Sequence, residues 1–233
     1  DSRQSGVAGE SLFFAIKGDR HDGHLFINDL IRKGVKNFVV SDTPVSQNKE
    51  ANFIVVENTL DALQKLASFH RKKFNLKTIG ITGSNGKTII KEWLCQLLQS
   101  DFNIVRSPKS FNSQTGVPLS VWQINNEHNL GIFEAGISTS GEMQRLEKII
   151  QPEIGIFSNV GEAHSENFST LDVKIQEKLL LFKHCKTLIY CKDYSGIHNA
   201  VMQSRYLENG LQCFTWSRRI KSDLQIGRIE KQN

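Results

Sequence analysis

A chain of 233 residues with 39% hydrophobic side chains is long enough for one large or two medium domains with real cores, and a soluble globular protein is the default. Lysine and arginine outnumber aspartate and glutamate by 29 to 24, but the excess is scattered rather than gathered into a basic arm, so anionic small molecules are expected as partners and nucleic acid is not. No apolar run approaches the roughly 20 residues a membrane span needs, and Cys95, Cys185, Cys191 and Cys213 form no CxxC pair, which argues against zinc or disulfide frameworks and for a reducing cytoplasm.

The first third alternates short apolar runs with turns. "LFFAI" (12–16), "NFVVS" (37–41) and "FIVVE" (53–57) are rich in β-formers and predict strands. Between the first two, "GHLFINDLIRKGV" places Leu25, Phe26, Leu30 and Ile31 at near-helical spacing, with Gly34 as a stop. "SDTPVSQNKEAN" (41–52) reads as a solvated loop. "NTLDALQKLASFHRKKF" then sets Leu60, Leu63, Leu66, Ala67 and Phe74 on one helical face, with Thr59 as the expected N-cap and basic residues in the last turn. That helix is expected to lead out of a small first domain near residue 75, giving domains over 1–76 and 77–233.

From "KTIGITG" onward the rhythm is regular. Strands are predicted over 78–83, 103–106, 130–135, 154–160 and 187–191, and helices over 87–99, 141–150 and 171–183. Such alternation implies an α/β fold with a mainly parallel sheet covered by helices on both faces. "QCFTWS" (212–217) and "DLQIGRIEK" (223–231) read as a late pair of strands.

"ITGSNGKTIIKEW" (81–93) lies where one of these strands passes into a helix. Backbone N–H groups at such a junction form a concave anion site, the helix dipole adds positive potential, and glycine lets phosphate oxygens reach the backbone. Gly83, Ser84, Asn85 and Gly86 would then cradle phosphate, Lys87 would reach its outer oxygens, and the Thr88 hydroxyl would ligate Mg²⁺. The strict GxxxxGK[ST] pattern is not met, because Ile81 stands at the first glycine position. The alternative is a capped surface turn. Glu134 ends the apolar run "LGIFEAG" and His164 follows "IGIFSNVGEAH", so both are expected at carboxyl ends of parallel strands, where open α/β sheets bind ligands.

"TGSNGKT", "FNSQTGVPLS", "FEAG", "SNVGEAHSENF" and "EKLLLF", in this order, resemble the Mur ligase family over nearly all of residues 1–190. The resemblance implies a small N-terminal UDP-sugar-binding α/β domain followed by a P-loop-type ATPase domain. It also implies an ATP-dependent amide ligase of peptidoglycan synthesis, working through an acyl phosphate in the cytoplasm. Within the family it points to the activity that adds D-alanyl-D-alanine to a UDP-N-acetylmuramoyl-tripeptide. It further implies that Thr88 and Glu134 share one Mg²⁺, and that His164 and a carbamylated Lys178 hold a second, Lys174 being the neighbouring alternative to Lys178. Lys87, His164, Lys178 and Asn112 are the catalytic set implied.

In the opening segment Ser2, Arg3, Lys17, Gly18, Arg20, Asp22 and His24 offer substrate contacts, with Arg3 suited to grip a diphosphate bidentately. In "SFNSQTGVPLS", Asn112 is the best substrate contact, beside Ser113 and Gln114. The chain stops before the family's adenine-contacting segment and C-terminal domain, so the second domain is expected to be incomplete. Alternatives are a Mur ligase adding another amino acid and a nucleotide- or UDP-sugar-binding module without turnover.

Overall fold

The computed structural model describes residues 10–18, 21–42, 51–161 and 167–227, and its contacts divide the chain into two compact units, Asp1–Leu66 and Ala67–Asn233. In the first unit β1 (Leu12–Phe14), β2 (Asn37–Val40) and β3 (Asn52–Val55) form a parallel sheet in the order β1-β2-β3. A 3-10 turn, Gly23–Phe26, runs into α1 (Ile27–Arg32). Ile27 and Leu30 of α1 bury with Ala15, Val35, Phe38 and Val40. Phe38 is fully buried and stacks on Phe53 at a centroid distance of 5.4 Å. The strands are each a residue or two shorter than the apolar runs that predict them, since the runs extend into the turns.

The helix α2 (Thr59–Lys72) corrects one expectation. Its cap is Asn58, whose side-chain oxygen accepts from Asp61 N at 2.9 Å, while the Thr59 hydroxyl turns inward and donates to Ala15 O at 3.0 Å. The division between the two compact units falls at Leu66/Ala67, inside this helix. The reason lies in Arg71, only 6% exposed, whose guanidinium donates to Ile150 O, Phe74 O, Leu76 O and Thr78 Oγ1. Those four acceptors all belong to the second unit and tie the last turns of α2 to it.

The second unit contains β4 (Lys77–Thr82), α3 (Lys87–Leu98), β5 (Ile104–Arg106), α4 (Gly116–Val121), β6 (Leu130–Glu134), α5 (Glu142–Ile150), β7 (Ile154–Phe157), α6 (Leu171–Leu179), β8 (Thr187–Cys191), α7 (Ser195–Met202), β9 (Gln212–Ser217) and β10 (Leu224–Gln225). Its sheet has the order β10-β9-β8-β7-β4-β6-β5 and every pairing is parallel. Strands are added on both sides of β4, so the connections diverge at its carboxyl end and open a crevice there. The late strand pair is present, though β10 is only two residues long. Sequence periodicity did not yield α7, and the helix predicted over 171–183 is α6 followed by a 3-10 turn, Leu180–Phe182.

Two cores hold this sheet. Leu146, Ile149, Phe157, Phe182 and Tyr190 belong to the larger one, while Ile79, Ile81, Leu130 and Ile132 pack with Cys95, Ile90, Leu94 and Leu98 of α3 on the other face. Each such side chain contributes about 1.5–3 kcal/mol relative to exposure. The two-residue period of β6 therefore puts Glu134 on the same face as Leu130 and Ile132, beneath the start of α3. No helix among the described residues is long and apolar enough to cross a membrane.

Candidate functional site

β4 ends at Thr82, and the loop Gly83–Gly86 delivers the chain to Lys87, the first residue of α3. Two glycines make the bend: Gly83 has φ 147° and Gly86, the N-cap, has φ 80°. A Cβ on Gly83 would lie 1.9 Å from Ser158 Oγ, so only glycine fits. The loop is braced from the end of β7. Ser84 N donates to Asn159 O at 2.9 Å, Asn85 N donates to Asn159 Oδ1 at 3.0 Å, and Ser158 Oγ donates to Asn85 O at 2.7 Å. Sequence reasoning missed Ser158 and Asn159, although "SNVG" follows its strand at the same offset as the glycine loop follows β4.

Two lysines meet this loop and a third lies beside it. Lys87 Nζ donates to Gly83 O at 2.8 Å, and Lys178 Nζ approaches the same carbonyl at 3.3 Å. Lys174, one helical turn before Lys178 on α6, donates to Gly161 O at 2.6 Å. Lys174 and Lys178 are both buried, so the choice between them is not one between a surface and an interior residue. Burial pulls the Lys87 ammonium below its ordinary range, an effect Glu134 opposes and Lys174 reinforces. Burial, followed by the charges of Lys87 and Lys174, brings Lys178 down to about 7. Crowded cations of this kind favour a polyanion, whose charge relieves both the desolvation and the repulsion.

Glu134, 0% exposed, sits under the first turn of α3. Its Oε2 accepts from Thr88 Oγ1 at 3.0 Å and from Asn112 Nδ2 at 3.3 Å. Its Oε1 makes no hydrogen bond, but lies 3.1 Å from the Nζ of Lys91, which is also 0% exposed. Lys91 is the main residue that sequence reasoning missed. Its signal was available, because it follows Thr88 by three positions, which places both on the α3 face that meets β6. Ser107 completes the frame: its Oγ accepts from Glu134 N at 3.1 Å and its carbonyl accepts from Lys91 Nζ at 2.8 Å.

A cleft of about 320 Å³ opens over the loop, lined by Gly83, Ser84, Lys87, Asn112, Gly136 and Lys178 among others. The Thr88 hydroxyl and the Glu134 Oε2 are hard oxygen donors already in contact on the cleft side. These residues fit Mg²⁺, which is commonly held by one or two carboxylates plus substrate phosphates rather than by a protein cage. In keeping with that, no cluster of three or more His, Cys, Asp or Glu side chains that could hold a metal occurs among the described residues. His164, Ser2, Arg3 and Arg20 lie outside the described residues.

In the first unit Lys17 is exposed and pairs with Asp22 in an isolated antiparallel bridge. The His24 ring is fully used: Nδ1 lies 2.6 Å from Asp22 Oδ1, and Nε2 accepts from Ser41 N at 3.0 Å. Two hydrogen bonds to the His24 amide and ring hold the Asp22 carboxyl below its usual range. His24 thus links Asp22 to Ser41, just past the end of β2, through both of its ring nitrogens.

A parallel sheet with a glycine loop, lysine and threonine at its central strand end defines a P-loop-type nucleotide-binding unit. Residues 81–231 match the Mur ligase middle domain and residues 3–71 match the Mur ligase family catalytic domain. The chain belongs to the Mur ligase family. It is 38% identical over 176 residues to the UDP-N-acetylmuramoyl-tripeptide--D-alanyl-D-alanine ligase of Borreliella burgdorferi, covering 72% of this chain and 38% of that protein. The Rickettsia prowazekii ligase of the same name is 39% identical over 173 residues, covering 74% and 38%. Among solved structures, MurF of Thermotoga maritima in complex with ADP superimposes with a TM-score of 0.80 at 28% identity, covering 94% of this chain and 49% of that one. MurF of Acinetobacter baumannii gives 0.80 at 27% identity, covering 93% and 47%. The chain thus spans less than half the length of the relatives it matches.

Proposed function

We propose that this chain forms the nucleotide- and UDP-substrate-binding part of an ATP-dependent ligase that joins D-alanyl-D-alanine to a UDP-N-acetylmuramoyl-tripeptide. The observation that carries the reading is the convergence of Lys87, Lys178 and Lys174 around the Gly83–Gly86 loop, next to the Thr88–Glu134 pair. The substrate pair comes from the activity named for the Borreliella and Rickettsia relatives, and the nucleotide from the ADP-bound Thermotoga structure.

In this reading residues 77–233 take ATP. A carboxylate oxygen of the tripeptide attacks the γ-phosphorus, ADP leaves, and an acyl phosphate forms. The amine of D-alanyl-D-alanine then attacks the acyl carbon, releasing phosphate and a proton and leaving an amide. Catalysis of the first step is mainly positioning and charge neutralisation. The backbone of Gly83, Ser84, Asn85 and Gly86 seats the phosphates, while Lys87 and Lys178 turn from Gly83 O to the developing charge. Asn112 holds Glu134 from the cleft side. Mg²⁺ would be held by Thr88 and Glu134 and supplies positive charge between phosphate oxygens when bound.

A different state of the same residue, a carbamate on Lys178 in place of the ammonium, would with His164 hold a second cation. The support for the carbamate is a buried amine brought to about 7, which is largely uncharged just above neutrality and therefore nucleophilic toward CO2. Residues 1–76 take the UDP-muramoyl end through Ser2, Arg3, Lys17 and Arg20, in which arginine suits the diphosphate, while His24 serves to hold Asp22 and Ser41 together. A cytoplasmic location agrees with four unpaired thiols and with ATP as substrate.

Calorimetry on the 233-residue chain tests this. ATP with Mg²⁺ and UDP-N-acetylmuramoyl-tripeptide should each bind once and without competition, and Lys87→Ala should lose only the first. Mutual exclusion of the two ligands, or no binding of either, overturns the proposal.

A further inference from the structure

Lys91 is a buried cation that the proposed reaction does not employ. Its Nζ donates to Ser107 O and Lys109 O and lies 3.1 Å from both Glu134 Oε1 and Glu92 Oε1. Glu92, half-exposed, also pairs with Arg106. Two carboxylates thus face two cations, and the single charge of Glu134 is already cancelled from behind. Lys109, at φ 48°, turns its carbonyl toward the same ammonium, so the loop that carries Asn112 is folded around Lys91.

On the cleft side the charges are one-sided. Lys87 and Lys178 both meet Gly83 O, Glu134 is the only carboxylate among the described residues in contact with Thr88, and the other carboxylate lining the cleft, Glu142, is held by the Ser138 and Thr139 amides. A divalent cation arriving alone would meet a compensated carboxylate amid lysines. One arriving with a triphosphate would meet a favourable field.

We infer that Lys91 is a positioning residue for Glu134: it holds Oε1, leaves Oε2 beside the Thr88 hydroxyl, and makes divalent-cation binding conditional on phosphate. The inference rests on the reading of Thr88 and Glu134 as the Mg²⁺ site. Removing Lys91 takes one positive charge from a few ångströms behind the cation. Even at the dielectric constant of water this strengthens binding of a divalent ion about tenfold, and more in a partly buried site.

The test uses Mn²⁺ as probe, read by electron paramagnetic resonance on the 233-residue chain. Wild type should bind Mn²⁺ weakly alone and form a ternary complex when ATP is present. Lys91→Met should bind Mn²⁺ without nucleotide at least about tenfold more tightly than wild type. Lys91→Arg, which keeps the charge, should resemble wild type, and Lys91→Met/Glu134→Gln should return to weak binding. Circular dichroism reports whether each variant is folded. Should Lys91→Met not fold, wild type and Glu134→Gln decide alone: tight nucleotide-free Mn²⁺ binding in wild type that Glu134→Gln abolishes overturns the inference. Equal or weaker Mn²⁺ binding in folded Lys91→Met overturns it as well. Absence of a ternary complex in wild type would instead overturn the underlying metal-site reading, so the two failures are distinguishable.

Discussion

Lys178→Met is expected to make the ligand-free protein more stable, and by an amount that depends on pH. The ammonium of Lys178 is buried, rests on Gly83 O at 3.3 Å, and titrates at about 7 instead of the ordinary 10.5. Below pH 7 both folded and unfolded chains are protonated and the whole penalty is present. As pH rises from 7 toward 10.5 the folded state releases its proton first, and the penalty fades. The gap between 10.5 and about 7 corresponds to about 5 kcal/mol at pH 6 and only about 1 kcal/mol at pH 9.5. Loss of the hydrogen bond to Gly83 O subtracts about 1 kcal/mol at either pH. Lys178→Met should therefore exceed wild type by several kcal/mol in denaturant unfolding at pH 6, and most of that advantage should be gone at pH 9.5. Saturating ATP should narrow it too, because the anion stabilises the charged lysine in wild type alone. An advantage independent of pH, or one that grows toward alkaline pH, would refute this account of the cationic cluster.

Lys87→Ala should retain the fold, with thermal stability equal to or above that of wild type since a partly desolvated ammonium is removed, yet lose ATP binding by calorimetry; retained affinity would show that the loop does not seat phosphate. Gly83→Ala drives a Cβ to 1.9 Å from Ser158 Oγ at φ 147°, and should cost about 2–4 kcal/mol in denaturant unfolding together with nucleotide affinity. Glu134→Gln takes one of two carboxylates from the buried Lys91 ammonium and leaves Glu92 at 3.1 Å, and an unfolding measurement should show a loss of about 1–3 kcal/mol, most of it recovered in Lys91→Met/Glu134→Gln.

The strands and helices of the second unit were legible because their signals are local. Apolar runs such as "KTIGIT" and "LGIFE" are long, a glycine loop punctuates the first, and a parallel sheet tolerates few alternatives. The same locality explains the misses. Asn58 and Thr59 are both good caps by type, and only the approach of the Ala15 carbonyl decides which one turns inward. Arg71 reads as one of several basic residues in the last turn of α2, whereas its guanidinium reaches an acceptor 79 residues away. Lys91 reads as one more basic residue on a surface helix until β6 is laid beneath it. Glu134 was expected at a strand end and is there, but the sequence has no means of showing that Thr88, Asn112 and Lys91 seal it from solvent. His24 offered itself as a ligand by type, yet Asp22 and Ser41 occupy both of its nitrogens.

The most direct test of the central claim is a crystal structure of the chain with a non-hydrolysable ATP analogue and Mn²⁺, read from the anomalous scattering of the metal. The account predicts the triphosphate along the backbone of Gly83–Gly86, with Lys87 Nζ withdrawn from Gly83 O onto its outer oxygens. It also predicts one Mn²⁺ about 2.1–2.2 Å from Thr88 Oγ1 and Glu134 Oε2. A triphosphate seated elsewhere, or a metal bound to it with Glu134 still sealed behind Thr88 and Asn112, would contradict it.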